Sequence, residues 1–300
     1  MEFWFVILLS VIAVLAIGLL LFLELMGDDA MRLKKLKHKR GEYINDQTAV
    51  ICQTIKDTLN SEKAYNLFIE YIFTNNKQFL EFVRDTLSDV SRAYNSGDSA
   101  ALDKCIHEVR EMKVELKDQK ITQDECIATI DNSTYIESAA WLHLSNSCRF
   151  DVNDGIRHMA EVCKEYPARF SEPFPEIYSE QLEYLLADIC NICNTCILLI
   201  GTTDINGMRE LRKRMSIILD ESYANTQRLY ELLHDGRSEL SKEKRVALQY
   251  ALNAFQELHC MIYTLRRFVL ANICMTLSIM TLDQRTGTGN SYPASSIKNE

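Results

Sequence analysis

Proline is scarce in this sequence of 300 residues, with four in all and none before Pro167. Its scarcity leaves long helices unbroken, because proline removes a backbone donor and clashes with the preceding turn. Glycine is also sparse, with ten, and the phosphate-cradling and nucleophile motifs built on it are missing. There is no Gly-x-x-x-x-Gly-Lys-Ser/Thr, Gly-x-Gly-x-x-Gly or Gly-x-Ser-x-Gly, and no His-Glu-x-x-His. The six histidines (38, 107, 143, 158, 234 and 259) are scattered, none paired with another at ligand spacing. Period-2 alternation of apolar residues is absent, which excludes an exposed antiparallel sheet. These absences leave an all-α chain with no enzymatic signature and no cofactor.

Lys and Arg are outnumbered by Asp and Glu, 33 to 42, and the imbalance is uneven. Residues 1–40 carry net +2 and residues 41–300 net −11. An acidic main body excludes nucleic acid, whose binders need a basic face to displace counterions.

Two features stand out at the start of the chain. Phe3 to Leu23 is an almost continuous apolar run, and six Lys/Arg follow within Arg32 to Arg40, with none before it. About 20 residues at ~1.5 Å each cover the roughly 30 Å of bilayer hydrocarbon. The positive flank faces the cytoplasm. A cleaved signal peptide needs a basic n-region, a shorter apolar core and a small-x-small site, and Leu23-Glu24-Leu25-Met26 supplies no such site. The expectation is an uncleaved single-pass anchor in the inner (cytoplasmic) membrane. Phe3–Leu23 would lie in the bilayer and Arg32–Arg40 on anionic headgroups, each basic residue worth about 1 kcal/mol. Ten cysteines would then lie in a reducing compartment as free thiols.

Turn signals divide the remainder. The expected organisation is an anchor at 1–26, a basic juxtamembrane segment at 27–42, a cytosolic antiparallel helical bundle at 43–282 and a disordered tail at 283–300. Helices are expected near 43–60, 62–95, 99–119, 123–165 (with a candidate break at 131–134), 176–200, 205–233 and 242–280. Asn95 to Asp98, Gly201 to Asp204 and Asp235 to Ser241 read as turns that cap the helices after them. Thr122-x-x-Glu125 and Thr134-x-x-Glu137 read as capping boxes, and Tyr166 to Pro175 as a loop. Within 141–163, Trp141, Cys148, Val152, Ile156, Met159 and Cys163 form one stripe, expected to be buried.

Three groups of residues invite a chemical reading. Cys190-x-x-Cys193-x-x-Cys196 lies in a helical run, where the outer sulfurs diverge, so core packing is expected rather than a cluster. Asp151, Asp154 and His158 share a helix face and are the candidate metal ligands, although the face continues through Glu161 and Glu165 as a solvated stripe. Glu81, Asp85 and Asp89 form a second acidic row.

The chain resembles the PhoU-like class, and in particular the cytosolic helical region of bacterial Pit-type inorganic phosphate transporters. The resemblance rests on Glu108-Val109-Arg110-Glu111-Met112-Lys113-x-x-Leu116-Lys117, on Trp141-Leu142-His143-Leu144-x-x-x-Cys148, and on the helix ending Cys163-Lys164-Glu165-Tyr166. It covers roughly residues 43–280. It implies a bundle that docks on a phosphate transporter or sensor in the same membrane, through the acidic faces at 81–89 and 151–165. Of the family's metal-binding Glu-Arg-x-Gly-Asp-His-type stretch, Asp154 stands at the aspartate position, while Phe150, Asn153 and Gly155 replace the Glu, Gly and His. The competing expectations are a single-pass scaffold recruiting other proteins, a metal-dependent enzyme using Asp151, Asp154 and His158, and a coiled-coil stalk. A homo-oligomer is compatible with each of them.

Overall fold

A computed structural model describes residues 53–55, 57–58, 61–127, 130, 132–170, 176–234 and 241–286. Apart from residues 53 and 54, these lie within one compact unit that begins at Ile55. The Phe3–Leu23 run, the basic segment and the tail beyond residue 286 lie outside the described residues.

Six long helices make up the described structure, and no strand occurs among the described residues. They are α1 (Ser61–Ser96), α2 (Ser99–Ile127), α3 (Asn132–Phe170), α4 (Glu176–Leu199), α5 (Ile205–His234) and α6 (Lys242–Thr286). Cross-helix pairs give the directions. Lys113 meets Asp154 while Asp103 meets Lys164, so α2 and α3 are antiparallel. Asn76 meets Ser145 while Phe79 carries Arg149, so α1 and α3 run parallel. His158 meets Glu257 and Tyr166 meets Tyr250, which sets α6 against α3. Thus α1 and α3 run one way and α2 and α6 the other.

The helices form two sets of three. Within α1–α3 each helix touches the other two, and the same holds within α4–α6. The sets join where α1 packs on α4 and α3 on α6, with a lighter contact between α1 and α6. The largest of these contacts joins α3 to α6, and Cys148, Val152, Ile156, Met159 and Cys163 of α3 are all buried. The expected stripe is thus buried, with Trp141 half-buried. A Cβ at Gly155 would stand 2.7 Å from Met261 Cγ, so the absent side chain lets α6 approach.

Three helix starts follow their sequence signals closely. The α1–α2 turn is a Schellman closure: Gly97 N–H donates to Tyr94 O and Asp98 N–H to Ala93 O, with Gly97 at φ 68°. Asp98 then caps α2, accepting from Ala101 N–H at 2.9 Å. Asp204 does the same for α5 through Gly207 N–H at 2.8 Å, and Ser241 for α6 through Lys244 N–H.

Four boundaries differ from expectation. The Thr122 capping box does not form, because α2 runs on to Ile127 and Thr122 Oγ1 instead donates to Asp118 O within the helix. Buried Gln123 and Cys126 extend the packed face of α2 and hold it helical. The break falls between Ile127 and Asn132, so Thr134 lies inside α3 rather than at its cap. Tyr166 to Phe170 is helix and not loop, although Pro167 lies in it. Pro167 forfeits one backbone bond, and the rings of Tyr166, Phe170 and Tyr250 cluster with centroids 4.8–6.1 Å apart to hold this last turn. Finally, α6 continues to Thr286, past the expected end of the bundle.

Two helices contain stretches long and apolar enough to cross a membrane, Tyr178–Leu199 in α4 and Lys242–Ser278 in α6, with mean hydropathies 1.4 and 1.3. Their outward positions are mixed: Glu180, Glu183, Asn191 and Asn194 on α4 and Gln249, Asn253 and Gln256 on α6 are exposed, beside the apolar Tyr184, Leu198, Tyr263 and Leu277. Their buried sides raise the average, as in helices packed on a bundle: 44% of the apolar window is buried in α4 and 61% in α6. Replacing Val152 and Met159 together by Asp places two unpaired carboxylates in the buried stripe of α3, at several kcal/mol each. The double variant is expected to lose its cooperative thermal transition; a transition unchanged from the parent would show that the stripe is wrongly assigned.

Candidate functional site

The acidic face of α3 does not converge on a metal. Asp154 is held by Lys113 of α2, whose Nζ lies 2.8 Å from both carboxylate oxygens, and by Arg157 at 3.8 Å. His158 turns the other way, toward Glu257 of α6 at 3.5 Å, and Asp151 is exposed. Arg157 continues the network to Glu161 at 3.2 Å. Among the described residues no group of three His, Cys, Asp or Glu side chains is placed to hold an ion. Glu81, Asp85 and Asp89 are likewise a surface row, with Asp85 paired to Arg84 and Asp89 to Arg92. Such exposed pairs contribute about 0–1 kcal/mol each.

The cysteine triplet packs into the bundle. Cys193 and Cys196 are fully buried, and Cys190 is half-buried with its thiol aimed at Arg84 O, 3.6 Å away. Burial pushes the Cys196 thiol up to about 12 and holds Cys193 well above its usual value. On α3, Cys163 rises to about 12 and Cys148 to about 11 for the same reason. These thiols stay protonated at neutral pH and are poor nucleophiles and metal ligands.

The concentration of chemistry lies elsewhere, in a polar layer through the interior of α1, α2, α3 and α6. Asn76 of α1 is fully buried, and its Nδ2 donates to Ser145 Oγ of α3 at 3.2 Å and to Asn272 Oδ1 of α6 at 3.0 Å. Asn272 in turn donates to Phe268 O, and Thr276 to Asn272 O. One turn along, Asn146 Nδ2 donates to Gln123 Oε1 of α2 at 2.7 Å, and Asn153 Nδ2 to the Val109 carbonyl.

Arg149 is the centre of this layer. Its side chain is among the largest of those fully buried, at 2% exposure. The guanidinium carbon sits 5.5 Å from the centroid of the Phe79 ring, and Nη2 donates to Gln119 Oε1. Gln119 passes the interaction on, its Nε2 donating to Glu115 Oε1 at 3.1 Å. The arginine is thus joined to a carboxylate only through a neutral amide. Desolvation pulls its pKa down to about 10, against smaller opposing effects of Tyr71 and Glu115. Five buried polar atoms of the layer have no hydrogen-bond partner: Asn75 Nδ2, Asn76 Oδ1, Gln123 Nε2, Arg149 Nε and Asn153 Oδ1.

Sequence reasoning missed this layer. The signal that could have revealed it is Asn146, Arg149 and Asn153, spaced i, i+3 and i+7 beside the apolar stripe. That spacing reads as one face of a helix, and polar residues on a face suggest solvent unless a third neighbour covers it.

Comparison with known proteins returns no match among family models, curated proteins or solved structures. Replacing Asp151 and Asp154 together by Asn removes one exposed carboxylate and the half-exposed ion pairs of Asp154 with Lys113 and Arg157. The expected loss is at most about 1 kcal/mol, a shift of a few degrees in melting temperature. A collapse of the fold in thermal unfolding would mean that the Asp154–Lys113 pair organises the bundle.

Proposed function

We propose that this chain is a membrane-anchored, PhoU-like helical protein that docks on an inorganic phosphate transporter or sensor and biases its conformational equilibrium. The observation that carries the reading is the arrangement of two three-helix sets in one bundle. First helix meets first helix and third meets third across the join, α1 on α4 and α3 on α6, as in a protein built from two similar halves. The apolar run Phe3–Leu23 and the basic segment Arg32–Arg40 supply the anchor and its cytoplasmic orientation. Anchoring both proteins in one membrane raises their effective concentration, so a weak contact suffices.

The docking surface would be the acidic rim. Asp151, His158 and Glu165 on α3 and Glu81 and Asp85 on α1 are exposed, and basic cytosolic loops complement such faces by steering the encounter. The protein would act by binding and carry out no chemistry of its own.

Deletion of the gene tests this reading, with complementation by the full chain or by residues 41–300 alone. Altered phosphate uptake or a derepressed starvation response, restored by the anchored chain and not by the truncated one, is the expected result. Unchanged uptake and signalling under both limiting and excess phosphate would remove the link to phosphate and leave a membrane-bound scaffold.

A further inference from the structure

A cation taken out of water needs a counter-charge, or its desolvation cost of several kcal/mol stands uncompensated. Arg149 is buried, and among the described residues it makes no direct ion pair. Its Nε has no acceptor, and Glu115 is reached only through the Gln119 amide. Two amide donors nearby are also without acceptors, Gln123 Nε2 and Asn75 Nδ2.

Their positions in the bundle bring these groups together. Gln123 lies one turn beyond Gln119 on α2, and its own oxygen is taken by Asn146, three residues before Arg149. Asn75 lies one turn before Phe79 on α1, the ring on which the guanidinium rests. A helical side chain leans toward the N-terminus of its helix, so Arg149 reaches back along α3. Because α1 and α3 run parallel and α2 runs against them, all three displacements lead toward the same end of the bundle. Three unsatisfied N–H groups, one of them on a charged group, therefore come from three helices into one interior layer.

We propose that this layer binds a small oxyanion, with Arg149 supplying the charge and Gln123 and Asn75 supplying amide donors. An anion with several acceptor oxygens satisfies all three donors at once and gives Arg149 its counter-charge, forming charge-assisted bonds stronger than neutral ones. The ligand is a free ion rather than a lipid headgroup, because a site at 2% exposure does not admit a glycerol stem. Burial also requires the layer to open before the ion enters, so association is slow relative to diffusion. The site depends on the bundle interior alone and stands whether or not the chain serves phosphate transport.

The test uses the full chain in detergent micelles, titrated with inorganic phosphate and, separately, sulfate at constant ionic strength, and followed by thermal unfolding and calorimetry. Saturable stabilisation of several degrees is expected from binding to the folded state alone. Arg149→Met should abolish the response and melt no lower than the parent in anion-free buffer, since it removes a buried charge that lacks a direct partner. Gln123→Leu keeps the charge and should weaken the affinity about tenfold. It also serves as the test if Arg149→Met does not fold. A shift that follows ionic strength alone, a response retained in either variant, or stabilisation by glycerol phosphate but not by inorganic phosphate would overturn the proposal.

Discussion

The burial of α3 on three sides is the constraint to which the rest of the bundle conforms, because a helix touched by α1, α2 and α6 has little surface left for water. Its α6 side meets the requirement with apolar side chains, and there Gly155 admits Met261 to close packing. Toward α1 and α2 the helix carries Ser145, Asn146, Arg149 and Asn153 instead, and each must find partners on its neighbours. Asn76, Gln119, Gln123 and the Val109 carbonyl are those partners. Only the edge with Asp151, His158 and Glu165 reaches solvent. A buried polar layer of this kind fixes register, since sliding one helix by a turn would orphan every bond in it.

Much of the architecture is legible in the sequence because its signals are local. Gly97-Asp98, Gly201 to Asp204 and Ser241 mark turns whose caps form from the residues themselves, and the Cys148–Cys163 stripe needs only helical periodicity. The errors came where tertiary contact outweighed a local signal. Thr122 has cap chemistry, but Gln123 and Cys126 are buried and keep α2 helical. Pro167 signals a stop, yet the Tyr166, Phe170 and Tyr250 cluster carries α3 one turn further. The polar layer was illegible for a related reason. An arginine beside an asparagine on a helix is ordinarily solvated, and only the packing of three other helices makes it interior.

Hydropathy shows the same limit. Two stretches, in α4 and α6, are apolar enough to span a membrane by composition, yet Asn191 and Gln256 are exposed on them and Asn272 is buried among hydrogen bonds. A strongly buried bundle helix and a lipid-facing one differ in where their few polar residues point. The acidic face of α3 shows the same dependence on neighbours: Asp154 and His158 share a face but pair with Lys113 on one neighbour and Glu257 on another.

Burial of α3 on three sides is the central claim, and amide hydrogen exchange of the intact protein tests it most directly. Global unfolding governs exchange at the best-packed amides, while exposed elements open locally. Peptides spanning 145–160 should be among the last to exchange, well after those of α5, whose Ile217, Tyr223 and Tyr230 are exposed. Exchange of 145–160 at the rate of α5 would contradict the account, because a helix that opens as easily as a surface one cannot be holding a buried polar layer in place.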